Sequence, residues 1–407
     1  MKKFTNMFFR EMRTFDAIFI GTSPVMILEA LQTSLEGKSV LMIDRRDSLG
    51  GAWHTAVLGS FKGIEIGCHY IKRYRKGYAF LEELIGRTLP VMDPQPCVQF
   101  WKCQFDHAQR SPAEFSLCIK NIRERKYRSF FSHLFRSIHF FWQEYLYKKQ
   151  WDSPFCYPKE GCAEMIKALQ RLLDASSIEI IHGRSVHEIY VEKNKKNGVC
   201  HTDQDDIFFR ECVISSCTNL QTIHYPKKNI VLEKIVRSYD HVVLHIHGKK
   251  AQPFHYMEVR DNRYFSRVSD VGFCNPSFKK HGKKNELLLC VQIPANHWSK
   301  LQHNEKAFSD ILLIQLEKKK LLQPGGNVLA YWSNRYETPF MDDHELDRIE
   351  KEFYPAIRTM KTTDMGTALA RYADQWSSVL LMAHCIRQQE HRCTSDIEKR
   401  VLTLMNI

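Results

Sequence analysis

The hydrophobic and polar positions near the start of the chain predict a strand, a helix and a second strand in close succession. Residues 15–20 (FDAIFI) form a short apolar run bounded by a glycine, which is typical of a buried strand. Ser23 and Pro24 suit the N-cap and the first position of a helix with apolar residues at helical spacing. Residues 39–43 (SVLMI) predict a second buried strand that ends at Asp44. This order and length are typical of a nucleotide-binding βαβ unit.

Such a unit offers a way to bind a dinucleotide. Backbone N–H groups at the helix start face a pyrophosphate, and an acid after the second strand, here Asp44, accepts hydrogen bonds from ribose hydroxyls. The usual G-x-G-x-x-G pattern is incomplete, because only Gly21 matches, while Ser23 and Met26 occupy the second and third glycine positions. The pattern by itself therefore leaves two interpretations open: a dinucleotide site, or a doubly wound domain with an ordinary helix.

The middle of the chain predicts an antiparallel sheet. Residues 239–248 (YDHVVLHIHG) alternate in strand fashion, and residues 254–259 and 286–293 add further strands. A Pro-Gly-Gly turn at 324–326 then predicts a return to the nucleotide-binding part.

The net charge and the composition indicate which classes of molecule the protein could bind. The net charge is +13, and residues 279–284 (KKHGKK) form a basic loop, so the surface attracts anions unless it is simply solvated. The sequence carries no zinc-finger, RNA-recognition or basic-zipper pattern, so nucleic acid is a minor option and we expect no nucleic acid partner. The expected partner is a small-molecule substrate, anionic or amphipathic. The sequence gives no indication of the oligomeric state.

The cysteines and the N-terminus predict a cytoplasmic protein. The 13 cysteines are scattered without CxxC or zinc spacing, so we expect free thiols and no metal site. The apolar start is interrupted by Arg10, Glu11 and Arg13, which argues against export.

One aromatic-rich segment suggests a contact with a membrane surface. Residues 126–151 carry aromatic and aliphatic side chains at helical spacing with Arg and Lys between them. The segment fits an amphipathic helix on a membrane surface or greasy substrate, or an internal helix of the substrate domain with extended basic side chains.

Three further stretches resemble the FAD-dependent oxidoreductases that include amine oxidases, protoporphyrinogen oxidases, phytoene desaturases and UDP-galactopyranose mutases. Residues 44–55 (DRRDSLGGAWHT) look like the family's acid and double-glycine segment, and residues 63–71 (GIEIGCHYI) resemble its turn at the flavin. Residues 157–173 (YPKEGCAEMIKALQRLL) resemble a segment that precedes its adenine contact. Together with the opening βαβ unit, these three stretches make four matches, which follow the family's order and cover roughly the first 220 residues.

The resemblance implies an α/β fold with a Rossmann-like FAD-binding domain and an inserted α+β substrate domain built on an antiparallel sheet. We expect the FAD-binding domain at 14–72, 155–230 and 325–390, the substrate domain at 73–154 and 231–324, and tails at 1–13 and 391–407. The positions that the resemblance assigns to FAD are Gly21, Ser23, Pro24, Asp44, Arg45, Arg46, Gly50, Gly51, Ala52, Trp53, Gly67, His69 and Val186. The catalytic candidates are His69 and Arg267, the latter for an anionic substrate.

The resemblance is incomplete at the C-terminus. Residues 367–376 (TALARYADQW) resemble a segment that precedes the family's last flavin contact, yet no glycine follows Trp376. We therefore expect that contact to be missing and FAD binding to be weakened or lost.

The function expected from this resemblance is FAD-dependent oxidoreduction of a small or amphipathic substrate. A redox-neutral flavin isomerase of a nucleotide sugar is an enzymatic variant. The opening also resembles Rab GDP-dissociation inhibitors, so a flavin-free binding protein on that scaffold is the alternative from another class. An NAD(P)H-dependent enzyme without flavin lacks a second nucleotide fingerprint in this sequence.

Overall fold

The computed structural model describes residues 13–85, 155–294 and 305–388, apart from short gaps at 54, 68, 70, 73–74, 159, 217–218, 227, 253, 259–263 and 362–364. The predicted membrane-contacting segment 126–151 lies outside the described residues. In the described part, no helix combines the length and the apolar character that crossing a bilayer requires.

A nine-stranded sheet forms the first half of the molecule. Its strands are β1 (Thr14–Ile20), β2 (Val40–Ile43), β7 (Glu179–Ile181), β8 (Val186–Val191), β9 (Gly198–Thr202), β10 (Asp206–Ser215), β11 (Thr222–Tyr225), β12 (Lys228–Val231) and β18 (Ile357–Met360). Five of them are parallel neighbours in the order β7-β2-β1-β10-β18. Strand β10 also pairs antiparallel with β9 through its first residues, so one long strand joins the parallel core to the β8–β9 hairpin.

The parallel strands are buried on both faces, as their continuous apolar sequences predict. Ala17 and Phe19 of β1 face a helical layer, while Ile18 and Ile20 face the opposite side. The helical layer contains α1 (Pro24–Leu35), α2 (Arg75–Ile85), α3 (Cys162–Asp174), α7 (Met365–Tyr372) and α8 (Ser377–Gln388). The other face is covered by α6 (Asp343–Phe353) and by side chains from strands β8 to β11.

A five-stranded antiparallel sheet forms the second half, in the order β14-β15-β16-β13-β17. Its strands are β13 (Ile235–His247), β14 (Tyr256–Glu258), β15 (Arg267–Asp270), β16 (Glu286–Pro294) and β17 (Asn327–Phe340). Helix α5 (Glu305–Lys318) packs on one face. The hairpin of β3 (Thr55–Leu58) and β4 (Phe61–Glu65) packs on the other. The remaining elements are the short pair β5 (Ile71–Lys72) and β6 (Phe155–Cys156), and helix α4 (Pro276–His281).

Two expected boundaries differ from the structure. The strand after the Pro-Gly-Gly turn, β17, pairs with β13 in the five-stranded sheet, so the chain returns to the first sheet after Phe340 and not at residue 325. Helix α2, expected within the substrate domain, packs instead in the helical layer of the nine-stranded sheet. The sequences of β17 and α2 show where apolar residues occur, but they do not specify which of the two apolar cores each element joins.

A buried carboxylate ties three distant parts of the first half together. Glu29, in the middle of α1, accepts a hydrogen bond from the indole Nε1 of Trp376 at 2.8 Å and another from Arg358 Nη2 at 2.7 Å. Arg358 also pairs with Glu211 of β10 through its Nε atom. The pairings hold α1 against β18 and the segment before α8.

We expect Glu29→Ala to lower the free energy of unfolding by about 3 kcal/mol. The substitution leaves a buried indole N–H and a half-buried guanidinium without their shared acceptor. Glu36→Ala, at the exposed end of the same helix, is the matched control and should change stability by no more than about 0.5 kcal/mol. Urea unfolding followed by circular dichroism measures both, and equal midpoints for the two variants would contradict the assigned role of Glu29.

Candidate functional site

The turn after β1 is fixed by one buried carboxylate. Gly21 has a φ of +107°, a conformation that favours glycine, and its N–H donates to the carbonyl of Ile43 at 2.8 Å. The next residue, Thr22, donates to Asp44 Oδ2 from its backbone N–H at 2.8 Å and from its hydroxyl at 2.5 Å. Asp44 Oδ1 accepts the N–H of Arg46 at 2.9 Å. Because a carboxylate oxygen accepts up to two hydrogen bonds, Oδ1 retains an acceptor position that suits a ribose hydroxyl.

The two departures from the glycine pattern have a structural explanation. Ser23 is the N-cap of α1 with φ −62°, where glycine is not required, and its hydroxyl accepts from Met26 N at 3.5 Å. Pro24 is the first helical residue. Met26 is fully buried in the core between the helical layer and the sheet. Since the first turn of α1 contains no acidic residue, its N-terminus keeps a positive dipole end toward the expected pyrophosphate position.

The double glycine lies directly against this helix start. Gly51 has φ +57°, a conformation that favours glycine, and a Cβ there would be in van der Waals contact with Ser23 Cα at 3.4 Å. The N–H of Gly50 donates to Thr22 O at 3.0 Å. Arg46 Nη1 donates to the carbonyl of Gly51. These bonds join the acid-containing loop, the glycine turn and the helix start into one small unit.

Other predicted cofactor positions surround this unit. Arg184 N donates to Asp44 O at 3.0 Å, which brings the segment before Val186 next to the acid. Val186 is buried as the first residue of β8. Arg45 is held by Asn219 Oδ1 at 3.2 Å. Ala52 is exposed in the 3₁₀ turn Gly51–Trp53, which begins at the second glycine. Their roles toward FAD stay predictions.

A strand and a helix precede Trp376 in the C-terminal part of the described chain. Residues 377–388 form α8 in the helical layer, and the last parallel strand is β18, followed by α7. The carboxyl ends of parallel strands meet at one edge of a sheet, so α7 begins at the edge where α1 begins. Helix α7 contains the buried Gly366 in its first turn. The expectation that the family's last flavin contact is missing after Trp376 stays a prediction, and Gly366 is a glycine at a helix start that this expectation did not consider.

A sharp turn after β4 connects the two halves of the molecule. Gly67 has φ +93°, and its N–H donates to Cys290 Sγ of β16 at 3.2 Å. His69 stacks on Trp53 with ring centroids 5.1 Å apart, and its Nε2 lies 3.2 Å from Ile66 O. A Cβ at Gly67 would be 3.5 Å from His241 Nε2 and 3.9 Å from His69 Nε2. Two imidazoles therefore converge on the open side of this glycine.

The register of the five-stranded sheet places His241 in a row of polar residues that crosses four strands. His241 of β13 pairs with Gln292 of β16, which pairs with Arg267 of β15, and His241 also pairs with Asn334 of β17. Residues directly opposite in an antiparallel sheet point to the same face. The row Arg267–Gln292–His241–Asn334 therefore lies on the face that meets Gly67, with Arg267 about 10 Å from His241 across two strand spacings.

The sequence interpretation missed His241 and its neighbours in the row. The alternating segment 239–248 was recognised as a strand, and alternation places His241 on the same face as Val243 and His245. Alternation alone does not specify which face meets the nucleotide half.

A buried acid lies two residues before Gly67. Glu65 is 3% exposed, and its Oε1 accepts the N–H of Cys162, the first residue of α3. Its Oε2 is buried and has no hydrogen-bond partner among the described residues. Burial raises the pKa of Glu65 to about 7, against the opposing effect of the Cys162 N–H. The buried carboxyl of Glu65 therefore gains or loses its proton near neutral pH.

The groups around Glu65 are thiols. Burial is also the main cause that raises the pKa of Cys274 far above its usual range and the pKa of Cys290 to about 12, and the nearby Glu65 charge adds to both shifts. These thiols stay protonated at neutral pH, so Glu65 is the group of this cluster that titrates there.

Comparisons with known proteins identify relatives by structure only. No protein-family model and no curated protein matches the sequence. Among solved structures, the chain is similar to an oxidoreductase from Methanosarcina mazei, with a TM-score of 0.56, 14% identity, and coverage of 88% of this chain and 99% of that chain. The chain is also similar to a protoporphyrinogen oxidase from Exiguobacterium sp. 255-15, with a TM-score of 0.55, 13% identity, and coverage of 91% of this chain and 99% of that chain. A third similar structure is a reduced UDP-galactopyranose mutase, with a TM-score of 0.55, 12% identity, and coverage of 95% of this chain and 99% of that chain. The expected α/β fold with its antiparallel second sheet is confirmed, and the chain shares the fold of these proteins.

The raised pKa of Glu65 predicts a specific pH dependence of stability. The folded carboxyl keeps its proton up to about pH 7, whereas the unfolded one releases it near its ordinary pKa of 4.5. Ionisation of the unfolded state therefore lowers stability as pH rises through this window. Glu65→Gln removes this effect, so its stability relative to the unmodified protein should rise by about 2–3 kcal/mol between pH 5 and pH 8.

Urea unfolding at pH 5, 6, 7 and 8 measures the difference. Glu192→Gln, an exposed acid on the same protein, is the control and should give a constant offset. If the Glu65→Gln offset is as constant as that of the control, Glu65 does not titrate in this window.

Proposed function

We propose that the chain is an FAD-dependent enzyme acting on a small substrate that carries an anionic or strongly hydrogen-bonding group. The observation that carries the proposal is the turn at Gly67, where the dinucleotide-binding half meets the polar face of the five-stranded sheet. The described residues fit a dinucleotide on physical grounds: an acceptor position at Asp44, a helix start without acidic residues, and a positive-φ glycine, Gly51, packed against that helix start.

In this proposal FAD supplies the electron transfer, and the chain binds and orients it. Asp44 accepts a ribose hydroxyl, and the first turn of α1 faces the pyrophosphate. The start of α7 adds a second helix N-terminus at the same edge of the sheet. Glu65 holds a proton beside the Gly67 turn, at the Oε2 atom that has no partner among the described residues.

The substrate side of the proposal rests on the row Arg267–Gln292–His241–Asn334. A guanidinium, two amides and an imidazole offer donors to a carboxylate or phosphate group. His241 of this row and His69 both lie beside the glycine turn, where an imidazole can donate or accept a proton.

The similar solved structures support an enzyme over a flavin-free binding protein, because they are an oxidoreductase, a protoporphyrinogen oxidase and a UDP-galactopyranose mutase. The mutase keeps the redox-neutral isomerase as a second candidate, because the anion-binding row suits a nucleotide sugar as well as an oxidisable acid.

The first test is the visible absorbance of the purified protein and the identity of the flavin that acid releases. We expect bound FAD in the unmodified chain. Asp44→Ala removes a charge-assisted acceptor, so its FAD content after dialysis should fall at least about tenfold. Asp47→Ala, an exposed acid three residues away, should retain its flavin.

Asp44→Ala also removes the acceptor of Thr22 and Arg46, so we expect a loss of stability of about 1–3 kcal/mol without loss of the fold. Circular dichroism checks that point separately. A protein that is colourless and does not take up added FAD would contradict the proposed function, and equal FAD content in both variants would contradict the role of Asp44.

The second test addresses the substrate row. Titration of inorganic phosphate into the flavin-loaded protein should change the flavin spectrum saturably, and Arg267→Gln should weaken the apparent affinity about tenfold. Arg171→Gln, an exposed position on α3, is the matched control. An equal response of both variants would remove Arg267 from the site.

A further inference from the structure

Three segments meet at one end of the five-stranded sheet. They are residues 247–251 at the end of β13 and after it, residues 279–286 before and at the start of β16, and residues 317–326 at the end of α5 and before β17. Gly248 N donates to Asn285 O at 2.8 Å, and Gln323 N donates to Lys249 O at 2.9 Å. Backbone hydrogen bonds therefore hold the three segments side by side.

The surface formed by these segments, here named the lysine end, is strongly positive. Its exposed cations are Lys249, Lys279, Lys280, Lys283, Lys284, Lys318, Lys319 and Lys320. The two acidic residues of the same segments, Glu286 and Glu317, form hydrogen bonds or ion pairs with nearby groups. Glu286 accepts Lys283 N at 2.9 Å and pairs with His245 at 3.1 Å. Glu317 accepts the N–H groups of Gly325 and Gly326 at 3.1 and 3.3 Å.

Folding thus concentrates positive charge that the sequence distributes over about 80 residues. Like charges held this close repel one another and destabilise the fold slightly, and the repulsion is relieved when an anionic surface approaches. A polyanion that spreads over the whole end gains from every lysine at once.

We propose that the lysine end docks the protein on an anionic lipid membrane. The three segments contain only lysine and histidine as basic residues, with no arginine and no Phe, Tyr or Trp. Lysine is a flexible point charge that suits laterally mobile lipid headgroups. Nucleic acid sites rely on the arginine fork and on aromatic stacking, which these segments lack.

The lysine end is separate from the candidate active site. His241 precedes the end of β13 by six residues, which places the polar row about 20 Å from the lysine end. Docking therefore does not need FAD, and its failure is independent of the failure of the proposed function.

Cosedimentation with vesicles tests the proposal. Vesicles of phosphatidylcholine with about one-third phosphatidylserine should bind the full chain at about 0.1 M salt, whereas pure phosphatidylcholine vesicles should not. Binding should weaken steeply when the salt is raised to about 0.5 M, because screening shortens the range of the charges.

A four-lysine variant from all three segments, Lys249→Gln, Lys280→Gln, Lys284→Gln and Lys319→Gln, should lose at least about tenfold in vesicle affinity. The control has the same net charge and replaces four exposed lysines of the other half: Lys167→Gln, Lys193→Gln, Lys196→Gln and Lys351→Gln. It should bind as the unmodified chain does.

Three outcomes would overturn the proposal. The unmodified chain fails to bind anionic vesicles, both variants lose binding equally, or a duplex oligonucleotide binds through the lysine end while vesicles do not. The last result would assign nucleic acid as the partner in place of the membrane.

Discussion

The carboxylate of Asp44 is the constraint on which the nucleotide half depends. It fixes the turn after β1 through Thr22 and its own loop through Arg46, and its backbone accepts the N–H of Arg184 while donating to Ile181. One buried charge thus aligns the ends of β1, β2 and β7 at a single edge. A buried carboxylate is tolerated only when donors satisfy it, so the surrounding geometry cannot vary independently of the acid.

The second constraint is the contact between the two sheets. The β3–β4 hairpin packs on the five-stranded sheet, and the turn that follows it returns toward the nucleotide edge. Gly67 lies at this crossing, with its N–H on Cys290 and its open side toward His241. The chemistry of the candidate site is therefore assembled from residues about 170 positions apart, none of which forms a motif alone.

These distances explain what the sequence can predict. The βαβ unit, the acid at Asp44 and the double glycine are local patterns, and they were found at the positions where the structure has them. His241 lies on a strand whose pairing partners are distant in sequence, and Glu65, although its hairpin is local, accepts its hydrogen bond from the distant Cys162. Their position at the site depends on register and on which sheet face is covered, and neither is encoded within a short window. The placement of β17 and of α2 was missed for a related reason, since each requires knowing which apolar core an amphipathic segment joins.

The incomplete glycine pattern does not show that the dinucleotide site was lost. Glycine is favoured where φ is positive, and Gly21, Gly50 and Gly51 all have a positive φ. Ser23 has a negative φ and contributes a helix cap, so the serine stabilises the first turn without altering its backbone. Met26 is accommodated because its flexible side chain fills the core between α1 and the sheet, where the usual glycine would let the two approach more closely. The helix start keeps its backbone N–H groups at the sheet edge, which is the property that pyrophosphate binding needs.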